Sequence, residues 1–171
     1  MKITFYFDPT HAPTAQQKGV RVVNGVPMFY KKKPLQDFET AFTKAVDKAR
    51  RENGNYRIPD GVAIYCHITF LFPYPHGVPK ARRVDMAPMT QRPDGDNLVK
   101  AVIDCLGDRF KKQDNSWVLA HEGVFRDDSA ITPYVISKFR TTGVPRICVN
   151  VMPRAEWVKG SEGDREGFGR G

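Results

Sequence analysis

The feature that most constrains the fold is the run from Val62 to Phe72, where apolar side chains stand at every second position. The repeated set is Val62, Ile64, Cys66, Ile68, Phe70 and Phe72. Period-two alternation in a run rich in β-branched and aromatic residues is typical of a β-strand. The run therefore predicts the strongest strand in the chain.

Helical periodicity appears in two other stretches. From Pro34 onward the apolar residues form one stripe, and a proline suits the first turn of such a helix. The stripe consists of Phe38, Ala41, Phe42, Ala45, Val46 and Ala49. A second helix is predicted over residues 98–106, ending at Gly107.

Weaker strand patterns lie at both ends of the chain. Residues 2–7 alternate, which predicts a first strand. Residues 131–140 and 146–152 predict two more strands, joined as a hairpin by a Thr-Thr-Gly-Val-Pro turn. Residues 9–33 combine proline, glycine and basic side chains, and predict a loop or irregular ribbon.

The length of 171 residues, with 40% hydrophobic content, is that of a single domain. We expect this domain to span residues 1–153. Within it, the prolines and basic residues of residues 73–93 predict a flexible, positively charged arm without regular structure. Residues 154–171 are rich in glycine and charge, and predict a disordered tail.

Composition narrows the compartment and the partners. No apolar run approaches the roughly 18 residues of a membrane helix, and the first residues lack the layout of a secretory signal. We therefore expect a cytoplasmic protein without a membrane partner. The 27 Lys and Arg against 19 Asp and Glu give a formal charge of +8, which favours polyanion partners.

The cysteines and one histidine carry no clear chemistry. Cys66, Cys105 and Cys148 are an odd number and form no C-x-x-C pair, so we interpret them as reduced core thiols. His67 lies within the strongest predicted strand, and no second histidine or acid is spaced to complete a site with it.

The chemically informative segment begins at Asp94-Gly95-Asp96-Asn97, immediately before the second predicted helix. Two carboxylates around a flexible glycine are consistent with ordinary helix capping and turn formation. The same arrangement also suits a functional site, and the segment alone does not separate the two interpretations.

The helix that follows favours function. At 100° per residue most of its side chains form one broad apolar arc, and Asn97, Lys100 and Asp104 share a narrow polar line. A polar line this narrow, continuing from two carboxylates, predicts the floor of a cleft.

Asp127 and Asp128 provide a second carboxylate pair from a distant part of the chain. Adjacent residues in an extended chain point to opposite sides, so we expect one of the two to reach a common centre. Gathered carboxylates repel each other unless a cation neutralises them. Mg²⁺, with Mn²⁺ as a substitute, suits such oxygen ligands, whereas zinc would call for histidine or cysteine at short spacing.

Basic residues complete the predicted site. Lys100, one helical turn after Asp96, is placed to orient a phosphate oxygen, although a simple Asp96–Lys100 surface pair explains it too. Predicted DNA contacts are the basic residues of the two irregular stretches and of the segment before Asp94. They are Lys31, Lys32, Lys33, Lys80, Arg82, Arg83 and Arg92.

These residues resemble a known family. The pattern Pro-Asp-x-Asp-Asn-Leu-x-Lys-x-x-x-Asp, at residues 93–104, and Asp-Asp-Ser-x-Ile, at residues 127–131, are similar to the RusA family of Holliday junction resolvases, often carried by phages. A weaker likeness extends to about residue 152. The resemblance assigns the essential, metal-binding aspartates to Asp94, Asp96 and Asp128, and the catalytic lysine to Lys100. It makes Asp127 an accessory acid and gives Asn97 and Asp104 supporting roles.

The resemblance also implies the architecture and the reaction. It implies a small α/β (α+β) domain with a mixed β-sheet and two main helices, forming a homodimer. The dimer would use a divalent metal to make paired, symmetric nicks in a four-way DNA junction. One departure is the stretch 107–123, with Lys111, Lys112, Trp117 and His121, which is longer than the family's usual link and predicts an insertion. Such an insertion would affect substrate choice or dimer packing.

Two alternatives remain open at this point. The first is a less selective nuclease that cuts flaps or other branched DNA with the same residues. The second is a junction-binding protein whose carboxylates are only structural.

Overall fold

The part of the chain described by this computed structural model, residues 1–7 and 18–158, combines α-helices with β-strands. The helices are α1 (Lys33–Glu52) and α2 (Gly95–Leu106). The strands are β1 (Lys2–Tyr6), β2 (Lys18–Val23), β3 (Val26–Lys31), β4 (Ile64–Pro73), β5 (Ala87–Pro88), β6 (Arg109–Gln113), β7 (Ser116–His121), β8 (Ile131–Thr141) and β9 (Arg146–Pro153).

A five-stranded mixed sheet in the order β1-β9-β4-β8-β5 forms the centre of the fold. The middle strand, β4, is parallel to β8 and antiparallel to β9. In this register Ile68 stands opposite Ile136 on one side and Val149 on the other. The predicted strand over residues 62–72 is therefore confirmed, with its start at Ile64.

The predicted hairpin of residues 131–140 and 146–152 is wrong. Both strands form, as β8 and β9, but β4 lies between them. This strand is the most deeply buried of the sheet, and its backbone N–H and C=O groups need partners on both edges. Separating β8 from β9 provides both edges, so the connection at residues 142–145 crosses the end of β4 instead of closing a hairpin.

Both helices share one hydrophobic core with the sheet. Phe42 of α1, Leu98 of α2 and Ile68 of β4 are completely buried. The ring of Phe5 contacts that of Phe42 edge to face, at 5.2 Å between centroids. Pro34 lies in the first turn of α1 as predicted. The predicted small α+β domain with two main helices is thereby confirmed.

The β2–β3 hairpin corrects the prediction for residues 9–33. Residues 18–31 pair as an antiparallel ribbon rather than a loop or irregular ribbon. Its turn is Asn24-Gly25, and both residues have positive φ, 51° and 79°. An Asn-Gly pair with this geometry matches the twist of a two-residue hairpin, a signal that the sequence contains. Residues 8–17 of the predicted stretch lie outside the described residues.

Residues 73–93 are also more regular than predicted. They contain a 3₁₀ helix at Lys80–Arg82 and the short strand β5, which pairs with β8. Asp85 fastens this segment, since its Oδ1 accepts hydrogen bonds from Thr142 N at 2.9 Å and Thr141 Oγ1 at 2.8 Å. These hydrogen bonds, first that of the Thr142 N–H, lower the pKa of Asp85. The predicted absence of regular structure is wrong; the flexibility of the arm stays a prediction.

The end of the domain differs as well. Residues 154–158 are helical, and the Trp157 ring stacks on Tyr65 at 4.6 Å between centroids. The backbone N–H of Arg154 donates to Ala63 O at 2.8 Å. The disordered tail was predicted to begin at residue 154, but residues 154–158 form a helical turn that the Trp157–Tyr65 contact holds. Residues 159–171 lie outside the described residues.

The cysteines behave as reduced thiols. Cys66 and Cys105 are buried in the core, and burial raises their pKa values to about 12 and about 11. Cys148 is half-buried, opposite Thr69 on the far face of the sheet. The prediction of core thiols is thus confirmed for Cys66 and Cys105. Among the described residues, the hydrogen-bonding neighbours of His67 are the hydroxyls of Ser137, at 3.2 Å from Nε2, and Thr69.

The predicted insertion at residues 107–123 folds as the β6–β7 hairpin, and its status as an insertion stays a prediction. Gly123, two residues after the return strand β7, lies tightly against the end of α2. A Cβ at Gly123 would lie 2.6 Å from Gly107 O and closer still to Leu106 O. Within the described chain, no helix is long and apolar enough to cross a membrane.

Substitution Gly123→Ala is expected to lower the free energy of unfolding by about 2 kcal/mol or more, since the methyl group meets backbone atoms that cannot move aside. Urea unfolding followed by circular dichroism measures the change. Gly77→Ala is the matched control, because no atom lies within 4 Å of the position of its Cβ. Equal stability of the two variants would contradict the close approach of Gly123.

Candidate active site

Asp94 and Asp96 lie at the start of α2, where both side chains are exposed. Asp94 is the N-cap residue, yet its carboxylate makes no capping hydrogen bond. Within the described residues neither carboxylate has a hydrogen-bond or ion-pair partner. A side-chain capping hydrogen bond therefore does not account for Asp94, and its functional role stays a prediction.

Two cations of β8 hold the backbone in front of Asp94. Lys138 Nζ donates to Pro93 O at 2.8 Å and to Gln91 O at 3.0 Å. Arg140 Nη2 donates to Gln91 Oε1 at 2.7 Å. Sequence reasoning missed both residues, although they stand two positions apart in a predicted strand and so share one face. They anchor to β8 the segment that precedes the paired carboxylates.

The polar line on α2 is present as predicted. Lys100 is exposed, Asn97 and Asp104 are half-buried, and the other residues from Leu98 to Leu106 are buried in the core. Lys100 Nζ lies 3.5 Å from Asp104 Oδ1, one turn further along the helix. The simple Asp96–Lys100 surface pair is therefore not what forms, and Lys100 leans away from the first carboxylate pair.

Asp127 and Asp128 have different surroundings. Asp128 begins a 3₁₀ helix, Asp128–Ala130, that precedes β8, and Asp127 is its N-cap residue with an extended backbone. Asp127 caps this helix, because its Oδ1 accepts the backbone N–H of Ser129 at 2.8 Å. The hydrogen bonds of the Ser129 side chain and backbone lower the pKa of Asp127. The Asp127 carboxylate is thus occupied by the N-cap hydrogen bond. Asp128 is the first residue of the 3₁₀ helix, and its side chain is exposed to solvent.

A polar cavity of about 290 Å³ brings acidic groups from three parts of the chain together. Asp104 of α2, Asp108 before β6, and the pair Asp127 and Asp128 line it. Asp94 and Asp96 do not, since Asp96 and Asp104 are two turns apart on a rigid helix, about 12 Å along its axis. The acidic surface is consequently elongated, with Lys100 between its two ends.

The donor groups suit a hard cation, but the structure does not gather them. In residues 1–7 and 18–158 no three His, Cys, Asp or Glu side chains are arranged to hold a metal ion. The candidate ligands are carboxylates, which is the oxygen chemistry that Mg²⁺ prefers. The convergence of Asp94, Asp96 and Asp128 on one ion therefore stays a proposal.

A partly buried ion pair holds Asp108, which lines this cavity. Arg57 Nη1 and Nη2 donate to the two carboxylate oxygens of Asp108 at 2.7 and 3.0 Å, and Gly123 N donates to Asp108 Oδ1 at 2.8 Å. Burial alone would raise the pKa of Asp108, but these hydrogen bonds outweigh it and leave the pKa lowered. Sequence reasoning missed Arg57 and Asp108, whose pairing spans distant parts of the chain.

The predicted DNA-binding residues divide into two groups. Lys31 binds Glu39, with Nζ at 2.7 Å from Oε1, and Lys33 binds Asp37 at 2.9 Å. Arg83 donates to Val78 O at 2.7 Å within its own loop. These three bind groups of the protein itself, Lys33 in an exposed surface ion pair. The remaining predicted residues are exposed at the surface: Lys32, Lys80, Arg82 and Arg92.

The fold and the site define a class: a small α+β protein that carries exposed carboxylates beside basic side chains, as phosphodiester chemistry requires. The sequence model of the family endodeoxyribonuclease RusA matches residues 9–120, more than half of the chain. The chain belongs to this family, which supports nuclease activity. Comparison with curated proteins gives no match. The family match covers α2 but ends before Asp127 and Asp128.

Substitution Asp108→Asn is expected to lower the free energy of unfolding at pH 7 by about 2 kcal/mol, because it removes the carboxylate that accepts two hydrogen bonds from Arg57, whose other acidic neighbours, Asp60 and Glu122, are 3.9 and 4.0 Å away. A carboxylate with a lowered folded-state pKa stabilises the fold above its unfolded pKa of about 3.9, and this stability is lost as the pH falls through the folded-state value. The difference between the variant and the unmodified protein should therefore shrink below about pH 4.

Denaturant unfolding at pH 7, 5 and 3 measures this difference. Asp37→Asn is the control, since its partner Lys33 is exposed and the pair should contribute little. A difference that stays constant over this pH range would contradict the role assigned to Asp108.

Proposed function

We propose that this chain is a Mg²⁺-dependent endodeoxyribonuclease that resolves four-way DNA junctions by paired, symmetric nicks. Membership of the RusA family supports the chemistry. The observation that carries the proposal is the state of Asp94 and Asp96, two exposed carboxylates without partners among the described residues, on a backbone segment that Lys138 fastens. Unpaired acids next to a basic surface suit metal-assisted cleavage of a polyanion.

Asp94, Asp96 and Asp128 are the residues that would hold the metal ion. When bound, the ion supplies an activated water and screens the charge that develops on the phosphodiester. The three carboxylates repel one another, so we expect their approach to depend on the cation. Mn²⁺ is expected to substitute for Mg²⁺, because it also takes carboxylate and water ligands.

The other polar residues position these groups and the substrate. Lys100 lies between the two acidic ends and would orient a phosphate oxygen, with Asp104 as its resting partner at 3.5 Å. Asp127 holds the turn that presents Asp128. Asn97, half-buried beside Asp96, has a supporting role. Phosphate contacts are assigned to the exposed cations Lys32, Lys80, Arg82 and Arg92.

Symmetric cleavage calls for two copies of the site. A homodimer with two-fold symmetry would place one acidic surface on each of two opposed strands of the junction. We propose this dimer for the chain, together with a bacterial or phage DNA-processing role in the cytoplasm.

The test is cleavage of three labelled substrates, a four-way junction, a flap and a linear duplex, each with Mg²⁺ and with EDTA. Metal-dependent cutting of the junction at symmetric positions supports the proposal. Equal cutting of the flap would favour the less selective nuclease. Binding of the junction without any cutting, in Mg²⁺ or Mn²⁺, would show that the proposed activity is wrong.

Asp96→Asn and Asp128→Asn are expected to reduce junction cleavage at least a hundredfold while binding persists or tightens, since removing negative charge favours DNA. Cleavage rates and gel-shift affinities measure the two effects separately. Glu52→Gln is the matched carboxylate-to-amide control, because Glu52 is exposed at the far end of α1. Full cleavage by purified Asp96→Asn protein would refute the site.

Lys138→Met should raise the Mg²⁺ concentration needed for half-maximal cleavage several-fold. The change removes the hydrogen bonds to Pro93 O and Gln91 O, so the segment in front of Asp94 loses its anchor. A Mg²⁺ titration of the cleavage rate measures the shift. Lys2→Met, an exposed position on β1, serves as control and should leave the titration unchanged. An unaltered titration in Lys138→Met would exclude this positioning role.

A further inference from the structure

The β6–β7 hairpin presents an exposed face that is both aromatic and basic. Lys112 stands opposite Trp117, and Phe110 opposite Leu119, so these four side chains share one face of the ribbon. Trp117 is 71% exposed. Within the described chain its ring has no aromatic or hydrogen-bonding partner. A large apolar side chain displayed among other apolar groups marks a surface for a partner.

The base of this hairpin is firmly attached to α1. Arg109 Nη2 donates to Thr43 Oγ1 at 2.7 Å, and Glu122 Oε2 accepts from Arg50 Nη2 at 2.7 Å. Both flanks of the ribbon are therefore fixed to the same helix. The exposed face is presented in one orientation, which reduces the entropic cost of binding a partner there.

The first strand of the hairpin also begins beside the polar cavity that Asp104, Asp108, Asp127 and Asp128 line. Arg109, the first residue of β6, and the two residues before it line the cavity together with Asp127 and Asp128. A polynucleotide whose backbone lies at these carboxylates extends within reach of the hairpin. The exposed face and the proposed cleavage site are therefore accessible to one substrate.

Charge decides among the kinds of partner. Strand β6 carries Lys111 and Lys112, and within the described residues neither side chain has an ion-pair partner. A second copy docked face to face would bury two Lys112 side chains among the apolar Phe110, Trp117 and Leu119, none of which can pair with their charge. An apolar partner would leave the lysines unused. A nucleic acid with exposed bases matches both features, because bases stack on aromatic rings and phosphates pair with lysine.

We infer that the exposed face of the β6–β7 hairpin binds bases that have lost a stacking neighbour at the branch point of DNA. Trp117 stacks on a base, and Lys112 contacts an adjacent phosphate. The inference rests on the proposed function for the choice of branched DNA, and it concerns a surface separate from the carboxylates. A linear duplex keeps its bases stacked and offers no open base face, so the hairpin favours branched over linear DNA.

Tryptophan fluorescence tests the contact directly, because the chain has 2 tryptophans and Trp157→Phe leaves Trp117 as the single emitter. Phenylalanine at this position keeps a ring against Tyr65. With EDTA present to prevent cleavage, a four-way junction should quench the Trp117 emission strongly. A linear duplex of the same length, at concentrations that also saturate binding, should quench it weakly.

Affinities of variants supply a second readout. Trp117→Ala should weaken junction binding about tenfold, the loss expected for one base–aromatic stack, and change duplex binding less than twofold. Trp117→Phe should retain most of the affinity. Lys112→Gln and Lys111→Gln are a matched pair on opposite faces of one strand. The first should weaken junction binding and reduce its salt dependence by about one ion, whereas the second should do neither.

Unchanged Trp117 emission at a saturating junction concentration would overturn the inference, as would junction binding by Trp117→Ala equal to that of the unmodified protein. Conversion of Trp117→Ala to a smaller species in sedimentation velocity would overturn it in favour of a second copy. A different result decides the proposed function. A junction that quenches Trp117 but is never cut retains the hairpin contact, whereas a junction that is cut without quenching removes only this inference.

Discussion

The packing of α2 against the sheet is the constraint on which the rest of the candidate site depends. Its apolar arc is buried in the shared core, so one narrow polar line is left for solvent. Gly95 seats the start of the helix against Ile136, where its Cβ would lie at 3.6 Å, and Val124 N donates to Leu106 O at 2.7 Å at the other end. Because the helix is held at both ends, its length fixes the distance between the carboxylates at its two ends.

Charged residues in this domain serve two purposes that composition does not distinguish. Asp85, Asp108 and Asp127 accept hydrogen bonds that hold loops and turns, while Asp94 and Asp96 keep their carboxylates exposed to solvent. The cations divide similarly, since several are tied to backbone carbonyls or to carboxylates. A formal charge of +8 therefore indicates a polyanion partner without showing which cations meet it. The proposed chemistry depends on the aspartates whose carboxylates have no partner among the described residues.

Local patterns predicted those elements whose apolar residues repeat with a clear period. The middle strand β4 and the helices α1 and α2 were predicted in this way. The carboxylate motif at Asp94 and Asp96 was identified from its residue types and its position before a helix. The β2–β3 hairpin was missed although its Asn-Gly signal is local. The other failures occurred where a long-range partner decided the outcome. The separation of β8 from β9 follows from the need of β4 for two neighbours. The pairing of Arg57 with Asp108, and the clamp of Lys138 on Pro93 O, join positions that no sequence spacing relates.

The sequence by itself determined the family, the position of the acidic motif before a helix, and the polar line on that helix, because each depends on neighbours within a few residues. Only the tertiary structure decided which of these acids are free, since a carboxylate's partners come from distant segments. It also decided that Asp104, Asp127 and Asp128 share a cavity while Asp94 and Asp96 lie two helical turns or more away from Asp104. Side-chain chemistry is local, but the distance between two side chains belongs to the packed fold.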